Sequence, residues 1–249
     1  MTVVAIVGCG PAGLLAAHAV ERAGHTPVVY SLARKPSPVS GGVFIHQPMP
    51  GLHGREPDGQ VRLRKLGEGR WYARKVYGAV DAPTSWDRLR EGNMAAWALR
   101  PLYDRLWAMY EDVVVEQAVD GAVAAELAAS YRLVLNTAPL PSLCVEEHDF
   151  PERQVWWVDK APSWVRPNEM VYNGRPEPPW FRSSVVFGVE ITEFGIEVLR
   201  SRPGRKVLPT NCTCHPRIKR IGRWGTWTPG VLLHHAYWGA VEAMAERGL

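Results

Sequence analysis

The chain has 249 residues, 46% of them hydrophobic, which supplies a substantial core and excludes an intrinsically disordered class. A formal net charge of +4 mildly favours anionic ligands and by itself defines no nucleic-acid surface. Every apolar run falls short of the roughly 18 residues needed to span a bilayer, and the N-terminal run is too short and too interrupted by glycine for a signal peptide. The expectation is a soluble cytoplasmic protein with no membrane partner.

Residues 2–7 read as a buried strand, apolar after Thr2. Residues 12–23 read as a helix ended by Gly24, and residues 27–31 as a second strand, together a βαβ unit. Residues 32–60 form a long loop rich in Pro and Gly, a length that points to a functional role in a compact domain. Short strands are expected across 61–77, and a helix across 85–110 that Pro101 kinks or splits. "DVVVEQAV" reads as a strand, "GAVAAELAAS" as a helix and "YRLVLNTAP" as a strand that stops at Pro139. From 150 to 200 the segments "QVWWVDK", "EMVYNG", "SSVVFGVEI" and "GIEVLR" carry β patterning and imply an antiparallel sheet. A short strand and loop in "RIKRIGRWGTW" precede a closing helix with Thr228 as N-cap and Pro229 as its first residue.

The fold class is therefore α/β: a Rossmann-like domain with a central parallel sheet, and a smaller antiparallel sheet on the substrate side. Residues 1–60, 111–145 and 212–249 are assigned to the nucleotide-binding domain, and 61–110 and 146–211 to the substrate or cap region.

Gly8, Gly10 and Gly13 are spaced G-x-G-x-x-G between the first strand and the first helix. A diphosphate sits well at a helix N-terminus, where free N–H groups and the helix dipole favour negative charge. In such a loop the first glycine permits the tight turn, the second lets the pyrophosphate approach, and the third lets helix and strand lie close. The flanking strand, helix and second strand are the context that separates this motif from a structural glycine turn.

"GCGPAGLLAA", with Pro11 and Ala12 inside it, resembles the glycine loop of FAD-binding Rossmann flavoproteins. The resemblance extends to the amine-oxidase and UDP-galactopyranose mutase-like group at three further stretches. These are Gly41 and Gly42 in "SPVSGGVFIHQPMPG", Thr137, Ala138 and Pro139 in "LVLNTAPL", and Gly222, Arg223, Gly230 and Val231 in "IGRWGTWTPGVLLHHA". It implies FAD as cofactor, with those residues around it and the closing helix aimed at the flavin. One position departs: the acidic residue that such families place after the second strand falls on Ser31. Arg34 and Lys35 follow and suit a phosphate, so NADP is the rival ligand.

The chain has a single glycine-rich nucleotide loop, so electrons are expected to come from the substrate, or the reaction is redox-neutral overall. Oxidation of a C–N bond in an amine or amino-acid-like substrate needs an oriented C–H bond and a dry flavin more than acid–base groups. His46, on the loop after the glycine pair, is a candidate base or flavin hydrogen-bond donor, against a reading as a capping histidine. On the expected substrate sheet, Arg182 is a candidate to hold a substrate carboxylate and Tyr172 a candidate aromatic wall, against a surface or supporting role. A looser resemblance, to small phage flavoenzymes of thymidine hypermodification, implies a glycyl-modified thymidine substrate in DNA and a lyase-type cleavage. The alternatives are a redox-neutral sugar-nucleotide mutase and a non-catalytic nucleotide-binding protein.

Basic runs at 62–65, 200–206 and 217–220 read as solvated surface or as DNA contacts. Among eleven tryptophans, most belong to core and some suit a wall for a flat ring. Cys212, Cys214 and His215 in "NCTCHPR" make an incomplete zinc pattern, because no second pair with suitable spacing stands out, and no metal is expected.

Overall fold

The structure is a computed structural model of the whole chain and describes all residues except 33–42, 55 and 83–85. In chain order its elements are β1 (Val3–Val7), α1 (Pro11–Arg22), β2 (Thr26–Ser31), β3 (Phe44–Ile45), β4 (Gly59–Gly67), α2 (Gly69–Tyr77), β5 (Gly92–Ala98) and α3 (Leu99–Tyr110). There follow β6 (Val114–Glu116), α4 (Gly121–Ser130), β7 (Val134–Asn136), β8 (Glu152–Val158), β9 (Glu169–Gly174), β10 (Trp180–Val186) and β11 (Val189–Phe194). The chain closes with β12 (Arg202–Val207), β13 (Ile218–Arg220), α5 (Gly222–Thr226) and α6 (His234–Glu246). Two compact units result: Met1–Pro38, Arg100–Pro151 and Val207–Leu249 form the first, Val39–Leu99 and Glu152–Lys206 the second.

The first unit holds a five-stranded sheet in the order β13-β7-β1-β2-β6, and every pairing in it is parallel. Four of the five residues of β1 are buried, as a parallel strand covered on both faces requires. α1 is buried along Leu14, Leu15, Ala16, Ala17, Ala19 and Val20, small and aliphatic residues that let it lie against the sheet and α6. α4 starts on Asp120, whose carboxylate accepts the N–H groups of Ala122 and Val123, each at 3.0 Å.

The second unit holds an eight-stranded sheet in the order β12-β8-β11-β10-β9-β4-β5-β3. β4 and β9 run parallel, whereas β3–β5, β4–β5, β9–β10, β10–β11 and β8–β11 run antiparallel. α2 covers this sheet with Tyr72 and Val76, which pack with Val61, Met170, Tyr172 and Phe181. The α/β class with a central parallel sheet holds, while the second sheet is larger than the first and mixed rather than antiparallel.

Several elements differ from the sequence reading, each for a physical reason. Residues 69–77 are helix rather than strand; Gly78, at φ +88°, ends it with its N–H on the Arg74 carbonyl. Residues 92–98, rich in helix formers, are a strand because β4 pairs with them over five registered residues. Pro101 lies in the first turn of α3, where its missing N–H has no helical acceptor to lose, so the helix is not kinked there. "SSVVFGVEI" is two strands, folded back at Phe187 (φ +49°) and Gly188 (φ +76°), the two left-handed residues of a tight hairpin. "GIEVLR" is not a strand, and β12 begins after it. The closing helix begins at His234, not Pro229: Gly230 is left-handed at φ +76°, and the Thr228 hydroxyl donates to the Thr226 carbonyl instead of capping α6.

Candidate nucleotide-binding site

The chain passes from β1 to β2 on one side and places β7 on the other side of β1, so the strand order reverses between β1 and β7. In an open parallel sheet the crevice at the C-terminal ends of such a strand pair is where ligands bind. Gly8 follows β1 and Thr137 follows β7, which puts the glycine turn and the "TAP" turn at this point.

The three glycines are there for three different reasons. Gly8 is at φ +99°, a conformation side chains rarely adopt, and a Cβ would stand 2.8 Å from Thr137 Oγ1 and 3.1 Å from the Ala138 nitrogen. A Cβ on Gly13 would stand 1.8 Å from the Gly8 carbonyl oxygen, so α1 can approach the turn only with glycine there. Gly10 has ordinary extended geometry (φ −66°, ψ 175°), and a Cβ on it would meet no described atom within 4 Å. Among the described residues, neither packing nor backbone geometry asks for glycine at position 10.

Among the described residues no side chain caps α1, and its first turn carries no acid. Pro11 occupies its first position, where the N–H would be orphaned in any case. α4 caps its own first turn with Asp120; α1 has no such side-chain cap among the described residues, and the bare N-terminus of a helix suits an anion.

The turn after β7 is hung on β1. The Thr137 N–H and hydroxyl both donate to the Val7 carbonyl, at 2.9 and 2.8 Å. Buried Asn136 braces the turn: its Oδ1 accepts the Ala138 N–H at 3.0 Å and its Nδ2 donates to the Ala138 carbonyl at 3.2 Å. Pro139 follows and opens a short 3-10 turn over Leu140–Leu143. The Asn136 carbonyl also accepts the Ile221 N–H at 2.9 Å, which draws in α5. At Gly222 (φ +71°) a Cβ would lie 3.3 Å from Ala12 Cβ, and at Gly225 one would lie 2.1 Å from the Asn136 oxygen. Gly8, Gly13, Ala12, Thr137, Ala138 and Gly222 are thus one packed constellation. Exposed Arg223 donates from Nε to the Val231 carbonyl at 3.2 Å, so Val231 and Gly230 belong to a turn tied to α5 and open no helix.

Ser31 ends β2 with its hydroxyl 3.0 Å from the Cys9 sulfur. Burial pushes the Cys9 thiol up, which keeps it neutral. The position lacks a carboxylate of its own, but Glu116 on β6 stands in register beside it. The sequence reading passed over Glu116 because it lay inside a generic strand pattern. Arg34, Lys35, Gly41 and Gly42 lie outside the described residues.

The three catalytic candidates all belong to the second unit. His46 follows β3 and stacks on Phe44, ring centres 4.8 Å apart. Tyr172 and Arg182 are directly opposed on β9 and β10, and Arg182 in turn opposes Glu193 on β11. Arg182 pairs with Glu193, which Lys206 also contacts at 3.1 Å. Burial opposes the charge on Glu193, but Arg182 and Lys206 outweigh it and hold its carboxyl below the usual range. Tyr72 of α2 covers this row, 5.8 Å from the Tyr172 ring. The half-buried Arg182 guanidinium thus has a carboxylate of the chain itself against it, and buried Tyr172 lies opposite it on β9.

Several members of the basic runs contact groups of the chain itself. Arg64 pairs with Glu169, Lys65 lies over Trp86, Arg202 pairs with Asp159, Arg205 with Glu152, and Lys219 with Glu246. Among the described residues no helix is long and apolar enough to cross a membrane.

No family model and no curated protein sequence matches the chain. Solved structures do resemble it. Tetracycline destructase Tet(51) aligns over 100% of this chain and 81% of its own, at a TM-score of 0.52 and 11% identity. A variant of HpxO from Klebsiella pneumoniae, complexed with FAD, aligns over 100% and 81%, at 0.53 and 10%. Aklavinone-11 hydroxylase, in a complex with FAD and aklavinone, aligns over 99% of this chain and 61% of its own, at 0.55 and 10%. At these identities the likeness is one of fold: the chain shares the Rossmann-type α/β architecture of these proteins.

Proposed function

We propose that the chain is an FAD-dependent oxidoreductase acting on a small organic substrate. The observation that carries this reading is Gly10: a glycine with ordinary backbone angles whose Cβ would meet no described atom within 4 Å, at the uncapped start of α1 and at the strand-order reversal. A dinucleotide diphosphate accounts for it, because the diphosphate needs bare main chain at that place. The α1 N–H groups would hold the diphosphate, Ser31 and Glu116 would accept from ribose hydroxyls, and the Thr137–Pro139 turn with Gly222 would line the site's far wall. FAD would supply hydride acceptance from the substrate.

Oxidation of a C–N bond rests on the resemblance of the Gly41–Gly42 and Thr137–Pro139 segments to amine-oxidase-like flavoproteins. A glycyl-modified thymidine in DNA is the most specific form of that reading, and the internally paired basic runs add little to it. Hydroxylation is the second reading, favoured by the fold shared with aklavinone-11 hydroxylase.

One experiment separates them. Purified protein is mixed anaerobically with candidate amines and amino acids, then with NADPH, while the flavin absorbance is followed. Bleaching by an amine supports C–N oxidation; bleaching by NADPH alone supports hydroxylation. A protein that takes up no FAD refutes both.

A further inference from the structure

We propose that Cys144, His148, Cys212 and Cys214 form a structural metal site that takes zinc, independent of the nucleotide reading. Their four ligand atoms all lie within 4.8 Å of one another. Zinc bonds of about 2.3 Å to sulfur and about 2.1 Å to nitrogen, set in a tetrahedron, give sulfur–sulfur edges of about 3.8 Å and sulfur–nitrogen edges of about 3.6 Å. The Cys144 and Cys214 sulfurs are 3.7 Å apart, and His148 Nδ1 is 3.6 Å from Cys214 and 3.2 Å from Cys144. These are tetrahedral edge lengths, and the sulfurs are too far apart to be a disulfide. Three soft thiolates and one imidazole suit zinc, and four protein ligands leave no open position, which makes the site structural.

The surroundings complete it. His148 turns Nδ1 to the sulfurs while Nε2 faces Glu146 Oε2 at 3.4 Å, the carboxylate support that fixes a ligating ring. Three thiolates with a divalent ion leave one negative charge. Arg220 meets it: one of its nitrogens lies 3.5 Å from the Cys212 sulfur, and the guanidinium donates to the Cys212 and Cys214 carbonyls. Leu140, Val207, Phe150 and Trp227 form the apolar shell. His215, the histidine that the sequence offered, instead places Nε2 2.9 Å from the Leu143 carbonyl. The missing second pair is Cys144-x-x-x-His148, carried by a different stretch of chain.

The placement gives the site its task. Cys144 and His148 precede residues 152–206, the second of the two segments that make up the second unit, and Cys212 and Cys214 follow it. The outgoing and returning segments run side by side, with the Leu208 N–H on the Pro151 carbonyl at 2.9 Å and the Thr210 hydroxyl on the Asp149 carbonyl at 2.6 Å. A metal there would staple together two segments of the first unit that are separated in sequence by residues 152–206.

The test is elemental analysis of protein purified without chelator, with FAD content measured separately. One zinc per chain is expected, and cobalt(II) substitution should give the strong visible bands of tetrahedral thiolate coordination. Cys214→Ser and His148→Ala should lose the metal, while His148→Cys and His215→Asn should keep it. The wild-type cobalt spectrum needs no variant to fold. Protein that is zinc-poor after zinc supplementation, a weak octahedral cobalt spectrum, or rapid thiol modification at Cys144 unaffected by zinc would each overturn the proposal.

Discussion

Alanine at Gly10 and alanine at Gly13 should have opposite signatures, although the two glycines are three residues apart in one loop. At Gly13 the new Cβ would meet the Gly8 carbonyl oxygen at 1.8 Å. That oxygen is main chain, so no rotamer relieves the clash, and α1 must move by more than 1 Å to restore ordinary contact. Overpacking of this kind costs about 3 kcal/mol or more, which lowers the melting temperature by about 6–12 °C for a chain of this size. At Gly10 the Cβ meets no described atom within 4 Å, and the angles suit any L-residue. The ligand-free protein should change by less than about 1 kcal/mol. The methyl would instead stand where the diphosphate approaches, at a cost of about 1–3 kcal/mol, or about 5- to 150-fold in FAD affinity. Melting of ligand-free protein by far-ultraviolet circular dichroism and FAD titration by fluorescence quenching read the two effects separately. Gly10→Ala binding FAD as tightly as the parent would refute the assignment of that space. Gly10→Ala melting as early as Gly13→Ala would refute the packing argument.

Three other outcomes follow from the same structure. Glu193→Gln leaves Arg182 and Lys206 facing a neutral group inside the second unit, and should cost about 3–5 kcal/mol by denaturant unfolding. Because the folded Glu193 carboxyl is depressed, its stabilisation is present above the ordinary carboxylate value of about 4.3 and is lost as pH falls through the folded value. The wild-type acid limb should therefore flatten in that variant; an unchanged limb would contradict the pairing. Gly225→Ala drives a Cβ to 2.1 Å from the Asn136 oxygen, so it should lower both the melting temperature and FAD retention, and normal retention would separate α5 from the site. Asp120→Ala removes the α4 cap and should cost about 1 kcal/mol with FAD affinity unchanged.

What the sequence disclosed and what it hid divide along physical lines. The β1–α1–β2 unit was legible because a uniformly apolar run, a glycine turn and a helix stop are all local signals. The Thr137 turn was legible by resemblance, but its reason, two hydrogen bonds to Val7, is a contact across 130 residues. The strand over 92–98 was hidden because Met94, Ala95, Ala96 and Ala98 favour a helix and only pairing with β4 overrides them. The pairing of Arg182 with Glu193 was hidden because only the hairpin at Phe187 and Gly188 sets the two opposite each other. His215 sat beside two cysteines in sequence and faces elsewhere, whereas His148 reaches the same sulfurs from the far side of the second unit's insertion. Glu116 gained interest only when β6 was placed in register with Ser31.

The most direct measurement is the cofactor content of the purified protein: its visible spectrum, and chromatography of whatever heat releases from it. A yellow protein with one FAD per chain is expected, or a colourless one that binds added FAD at one per chain and no longer does so as Gly10→Val. A protein that ignores FAD and binds NADPH, or binds neither, contradicts the FAD reading.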